Sequence, residues 1–115
     1  MIRLAIALTL VLAGTASAAE WKRLPGPTPT DHGRAVFESR CAICHGTDPD
    51  AAGTNSLAVK YGKDKPALLE QRRDLKPETV KFFVRKGAGM MPFFRKTEVS
   101  DAELEALAAY LSRKR

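Results

Sequence analysis

Cys41, Cys44 and His45 stand in the run Cys41-Ala42-Ile43-Cys44-His45: two thiols three positions apart, with an imidazole directly after the second. This is the attachment pattern of a c-type haem. One helical turn offers both sulfurs to vinyl groups on neighbouring pyrroles, where each forms a thioether. The same turn brings the imidazole under the iron. A ligating histidine is oriented by donating its other N–H to a backbone carbonyl, and Pro49 or a neighbouring loop carbonyl is the candidate acceptor. Two other chemistries use paired cysteines. A redox dithiol needs a βαβ context, and the chain has no alternating strand pattern. A zinc site needs four ligands; only Cys41, Cys44, His45 and His32 are available, without the usual second-pair spacing.

Whether the iron has a second protein ligand is the next question. His32, nine positions before Cys41, falls near the start of a helix, where an exposed histidine is the default. Met90 and Met91 lie more than forty residues beyond the cysteines, far enough along the chain to reach the opposite haem face. A thioether is soft and neutral; it favours ferrous iron and raises the reduction potential. Pro92 biases Met91 toward extended backbone and stiffens that position. The competing reading makes both methionines core filler.

The elements that must position these groups fill a short chain of 115 residues, enough for one domain. Residues 1–19 read as a signal peptide: Arg3, an apolar run from Leu4 to Ala13, then Ala16-Ser17-Ala18, with cleavage after Ala18 or Ala19. The apolar run is short for a membrane span, which takes about 20 residues. Removing 19 of 115 residues leaves 96, and a core that small benefits from a staple. A disulfide between Cys41 and Cys44 closes too small a loop to serve; a covalent haem adds a large apolar surface. The expected product is an exported, periplasmic protein with no membrane span. The net charge of +6 becomes +5 once Arg3 is lost. Export excludes nucleic acid as the partner, which leaves an acidic protein, an anionic surface or simple solubility.

Residues 20–30, with Pro25, Pro27 and Pro29, read as an extended lead-in. Trp21 within it is an apolar plug or a partner contact. A first helix opens near Thr30 or Asp31 and aligns Gly33, Val36, Phe37, Cys41 and Cys44 on one side. Thr47 to Ser56 has loop composition, followed by a short helical turn over Leu57 to Tyr61. Pro66 opens a short helix, Ala67 to about Arg73, that buries Leu68 and Leu69. Another helix starts at Pro77, buries Val80, Phe83 and Val84, turns Lys81 and Arg85 outward, and stops at Gly87. Gly87 to Phe94 is a constrained loop. Ser100-Asp101-Ala102-Glu103 is a capping box opening a last helix whose apolar face is Leu104, Leu107, Ala108 and Leu111. The fold class is all-α: about four helices and long loops around one haem, with the domain proper at residues 31–115.

Gly33-x-x-x-Phe37, Cys41-Ala42-Ile43-Cys44-His45, Met91-Pro92 and a terminal helix with Tyr110 together resemble class I monohaem cytochromes c, over about Asp31 to Ser112. The resemblance implies that Cys41 and Cys44 hold the haem and that His45 is the proximal iron ligand. It makes Met91, the methionine before the proline, the distal ligand in preference to Met90. It also implies that the first and last helices cross, with Gly33 and Phe37 meeting Leu107 and Tyr110. A narrower likeness lies in Pro66-Ala67-Leu68-Leu69-Glu70-Gln71-Arg72 and in Val84-Arg85-Lys86-Gly87 running to Glu98. These are similar to cytochrome subunits of flavoprotein hydroxylases and dehydrogenases of 4-alkylphenols, such as the p-cresol methylhydroxylase and eugenol hydroxylase type.

The resulting expectation is an electron-transfer protein without catalytic residues. It would take single electrons from a flavoprotein dehydrogenase subunit and pass them to another exported redox carrier. Arg72, Arg73, Arg85, Lys86, Arg95 and Lys96 would steer such contacts or simply be solvated. The alternatives are a free-standing carrier to a terminal oxidase or other haem protein and, from another class, a haem enzyme or ligand sensor with an open iron site.

Overall fold

Pro29 and Gly33 set the geometry of the first helix. In the computed structural model, which describes residues 28–114, α1 runs Pro29–Arg40. Thr28 is its N-cap, and the Thr28 hydroxyl accepts from the Asp31 amide at 3.1 Å. The helix therefore starts ahead of Thr30 and takes over the end of the expected lead-in. The reason is local: Pro29 suits the first helical position, where no amide proton is needed, and Thr28 is a good cap. The expected signal peptide, the rest of the lead-in and Trp21 lie outside the described residues.

Cys41 ends α1 and at the same time caps α2 (Ala42–His45), a single turn. α3 spans Ala52–Tyr61, where a loop up to Ser56 and a short turn had been expected. Its small polar residues are helical because their side chains find carbonyls. Ser56 Oγ donates to Ala52 O at 2.8 Å, and Thr54 Oγ1 to Gly46 O at 2.9 Å. The helix expected over 67–73 shrinks to one 3-10 turn, Leu69–Gln71, with Leu68 and Leu69 only half-buried. Arg72 leaves helical geometry (φ −70, ψ 139) and is drawn inward to bind Asp74.

α4 runs Pro77–Lys86 and stops at Gly87, whose φ of 72° suits glycine. Val80 and Val84 are buried, but Phe83 is 41% exposed. Its ring instead meets Phe82 edge-on at 5.4 Å. α5 (Asp101–Ser112) opens with the expected capping box: Glu103 N–H donates to Ser100 Oγ, and Ser100 N–H to Glu103 Oε2 at 2.7 Å.

Five α-helices and no strand are present among the described residues, so the chain is all-α as expected. The core forms where α1 and α4 meet α5. It contains Val36, Phe37, Val80, Val84, Val99, Leu104, Leu107, Ala108, Tyr110 and Leu111. α1 and α5 cross at Gly33: a Cβ placed there would lie 2.1 Å from the Ala106 carbonyl oxygen and 2.6 Å from Tyr110 Cβ. The Phe37 and Tyr110 rings pack tilted, with centroids 6.2 Å apart. The Tyr110 hydroxyl donates to Glu70, which ties the 3-10 turn to α5.

Candidate functional site

α2 is tied by backbone bonds to the end of α1 and closed by the Gly46 amide, which donates to Ala42 O at 2.7 Å. Cys41 N–H donates to Phe37 O at 2.8 Å. The Cys44 and His45 amides both donate to Cys41 O, at 3.0 and 2.8 Å. Cys41 is half-buried and packs against the core, whereas Cys44 is exposed; no disulfide joins them. Burial, with Cys44 nearby, pushes the Cys41 thiol up to about 11. Ile43, between them, projects outward.

The His45 ring lies against α3. A Cβ on Gly53 would stand 2.7 Å from His45 Cε1, 2.8 Å from Nδ1 and 2.7 Å from the Cys44 carbonyl oxygen, so the absent side chain makes room for the imidazole. Burial lowers the His45 pKa and keeps the ring neutral, the form that binds a metal. Nδ1 is fully buried and has no hydrogen-bond partner. Neither Pro49 nor a neighbouring loop carbonyl, the candidate acceptors, takes a bond from it; the Pro49 carbonyl accepts from Asn55 Nδ2 at 2.8 Å.

The two adjacent methionines are treated very differently. Met90 is 99% exposed. Met91 is half-buried and packs on the same core cluster that Cys41, Ala42, Leu69, Leu75 and Phe94 border. Its backbone forms a two-way bridge with Ala88: Met91 N–H to Ala88 O at 2.9 Å, and Ala88 N–H to Met91 O at 3.1 Å. Gly89 turns this hairpin with φ 57°. Gly87 lies so close to it that a Cβ would be 2.6 Å from Met91 O.

His32 is far from these groups. About nine residues of helix rise, about 13 Å, separate it from Cys41, and it lines a groove with Thr28, Pro29 and Glu105 between α1 and α5. No three His, Cys, Asp or Glu side chains among the described residues form a metal cluster. The donor set is instead one neutral imidazole beside two thiols on one turn, with a half-buried thioether on the rim of the same core. These residues fit a covalently attached haem.

Two features escaped the sequence reading. Arg72, 6% exposed, binds Asp74 with both ends of its fork, at 2.6 and 2.7 Å, while its guanidinium lies 4.8 Å from the Tyr61 ring centre. Lys65 adds a third contact to Asp74 at 2.9 Å. Arg85, expected on the outer face of α4, reaches inward to the carbonyls of Phe94 and Val99 and to Asp101. No periodicity signals either contact; both depend on where loops return.

Residues 28–111 match the family described as cytochrome c oxidase, cbb3-type, subunit III. The chain is also 31% identical over 80 residues to a cytochrome c6 of Synechocystis, a match covering 70% of this chain and 61% of that protein. The chain thus spans less than two thirds of that relative's length.

Proposed function

Since the chain belongs to the cytochrome c family described as cytochrome c oxidase, cbb3-type, subunit III, we propose that it is an exported carrier that takes up and releases one electron at a time. Its cofactor is a covalently bound haem c, which supplies an iron that cycles between two oxidation states. Cys41 and Cys44 provide the thioether sulfurs, His45 the proximal ligand and Met91 the distal one. The residues' own work is to hold these donors still, to keep the imidazole neutral and to exclude water from the iron.

The observation that carries this reading is the split between the methionines: Met91 turned to the core rim, Met90 to solvent. With His45 and Met91 both on the iron, no position is open to substrate, and the chemistry reduces to electron transfer. The test is visible spectroscopy of the ferric protein. Wild type is expected to show the weak thioether-to-iron band toward the red, and Met91→Ala to abolish it and lower the reduction potential. An unchanged band and potential in Met91→Ala would refute the ligand assignment and reopen a haem enzyme or sensor.

The finer reading gives the electrons a source. The likeness in residues 66–72 and 84–98 supports a flavoprotein dehydrogenase or hydroxylase of 4-alkylphenols as donor, its reduced flavin giving up two electrons singly. The acceptor is another exported redox carrier. Of the six candidate steering cations, Arg72 and Arg85 are bound internally, and Arg95 and Lys96 pair with Glu98 and Asp101. Arg73 and Lys86 are exposed and pair with no described residue, which makes them the cations most available to a partner. Native co-purification with a flavoprotein is the expected result; a monomer reduced equally by unrelated donors would overturn it. Export rests on the expected leader at residues 1–19. No helix among the described residues is long and apolar enough to cross a membrane.

A further inference from the structure

The backbone of Met91 is held on one side by its bridge to Ala88, and on the other side the chain is pinned to the end of α4. Pro92 and Phe93 follow Met91, and the Phe94 amide then donates to Val84 O at 2.8 Å. Arg85, the next residue on α4, completes the pin. Its Nη1 donates to Phe94 O at 3.0 Å and to Val99 O at 2.8 Å, and its Nη2 to Asp101 Oδ1 at 2.8 Å. The side chain is only 22% exposed. One planar guanidinium thus joins the last turn of α4, both ends of the segment 94–99 and the first residue of α5.

We propose that Arg85 is a positioning residue for the distal ligand: by clamping the Phe94 and Val99 carbonyls it fixes the loop that holds the Met91 thioether on the iron. This rests on Met91 being that ligand. The chemistry favours arginine. Its rigid fork serves several acceptors at once and cannot lose its charge. Glutamine at this position also has two N–H donors on one nitrogen, but it is uncharged and its shorter side chain ends short of the place from which Nη1 serves both carbonyls. The Asp101 arm is a different matter. Asp101 is exposed and also held by Lys96 at 2.7 Å, so its loss leaves both carbonyl contacts in place.

The test is competition at the iron in the haem-loaded ferric protein. Imidazole is titrated in, and loss of the thioether-to-iron band reports displacement of Met91. Loss of charged hydrogen bonds to carbonyls is expected to tighten apparent imidazole binding by about tenfold or more in Arg85→Gln. Arg85→Lys, which keeps the charge but not the fork, is expected to give a smaller, several-fold tightening, and Asp101→Asn to stay close to wild type. Imidazole binding by Arg85→Gln equal to wild type would overturn the proposal. So would an equal change in Asp101→Asn, which would assign the effect to the ion pair with α5. If Arg85→Gln does not accumulate with haem, Arg85→Lys decides: a several-fold tightening at an unchanged melting temperature supports the clamp, and no change overturns it. Met91→Ala separates the two readings, because survival of the band there removes the ligand assignment whatever Arg85 does.

Discussion

Replacing Gly33 by alanine tests the crossing on which the core is built. Real Cβ contacts do not fall below 3.0 Å, yet the new atom would stand 2.1 Å from the Ala106 carbonyl oxygen and 2.6 Å from Tyr110 Cβ. Both obstacles belong to α5, and the nearer one is backbone, so no side-chain rotation relieves it. The helices must part by about 1 Å, a gap that forfeits a quarter to a half of each affected dispersion contact. Phe37, Leu107 and Tyr110, all nearly fully buried, lie in that interface. Overpacking of a tight core costs about 1–3 kcal/mol, and the lost contacts add to it. Alanine returns about 1 kcal/mol through its better helix propensity. The expected net loss is about 1–3 kcal/mol, within the ordinary range for a destabilising substitution. Guanidinium unfolding of the haem-loaded protein, followed by far-ultraviolet dichroism, measures it directly. A Gly33→Ala protein as stable as wild type, or more so, would show that helix propensity outweighs the close approach and would refute the argument.

Gly53→Ala makes a second, differently aimed test: its Cβ would press on the His45 ring and the Cys44 carbonyl. The expected outcome is a shifted reduction potential and an altered low-spin ferric spectrum with the haem still covalently held; an unchanged potential would count against the packing of the imidazole on α3. Asp74 tests pH dependence. The Arg72 fork and the Lys65 ammonium hold its carboxyl well below the usual carboxylate range. A depressed carboxylate stabilises the fold above its unfolded pKa, about 4, and that contribution fades as pH falls toward the folded value. At 43% exposure the pairing is partly screened by solvent. Asp74→Asn is therefore expected to lower the melting temperature modestly at pH 7 and to flatten its decline below pH 4, with the difference shrinking in high salt. Parallel acid limbs for the two proteins would contradict it.

What could be read in advance was local. Cys41, Cys44 and His45 announce their chemistry by spacing alone. α4 and α5 are bounded by Pro77, Gly87 and the Ser100–Glu103 box, whose partners lie within a turn. α3 was missed at its start because Thr54, Asn55 and Ser56 look like loop residues until their side chains find carbonyls. The segment after Pro66 was over-read as helix because Arg72 has a better offer from Asp74 and Tyr61 than from another helical turn. Arg85 was assigned outward by helix periodicity, yet its acceptors lie nine, fourteen and sixteen residues further on. The choice between Met90 and Met91 came from resemblance rather than from spacing. Their unequal burial is a physical difference that adjacent positions in a sequence do not show.

The crossing of α1 and α5 also imposes an order in time. The chain is made from its N-terminus, so the α1 segment precedes the helix it packs on, and about 70 residues must be closed into a loop, at about 4 kcal/mol of chain entropy, before Gly33 and Ala106 can meet. Until then Cys41 and Cys44 sit at the frayed end of a helix that has no partner. Docking of α5 completes the core against which Cys41 packs, so a chain cut short before Asp101 would keep the cysteine turn but lack Leu104, Leu107, Ala108, Tyr110 and Leu111 of that core.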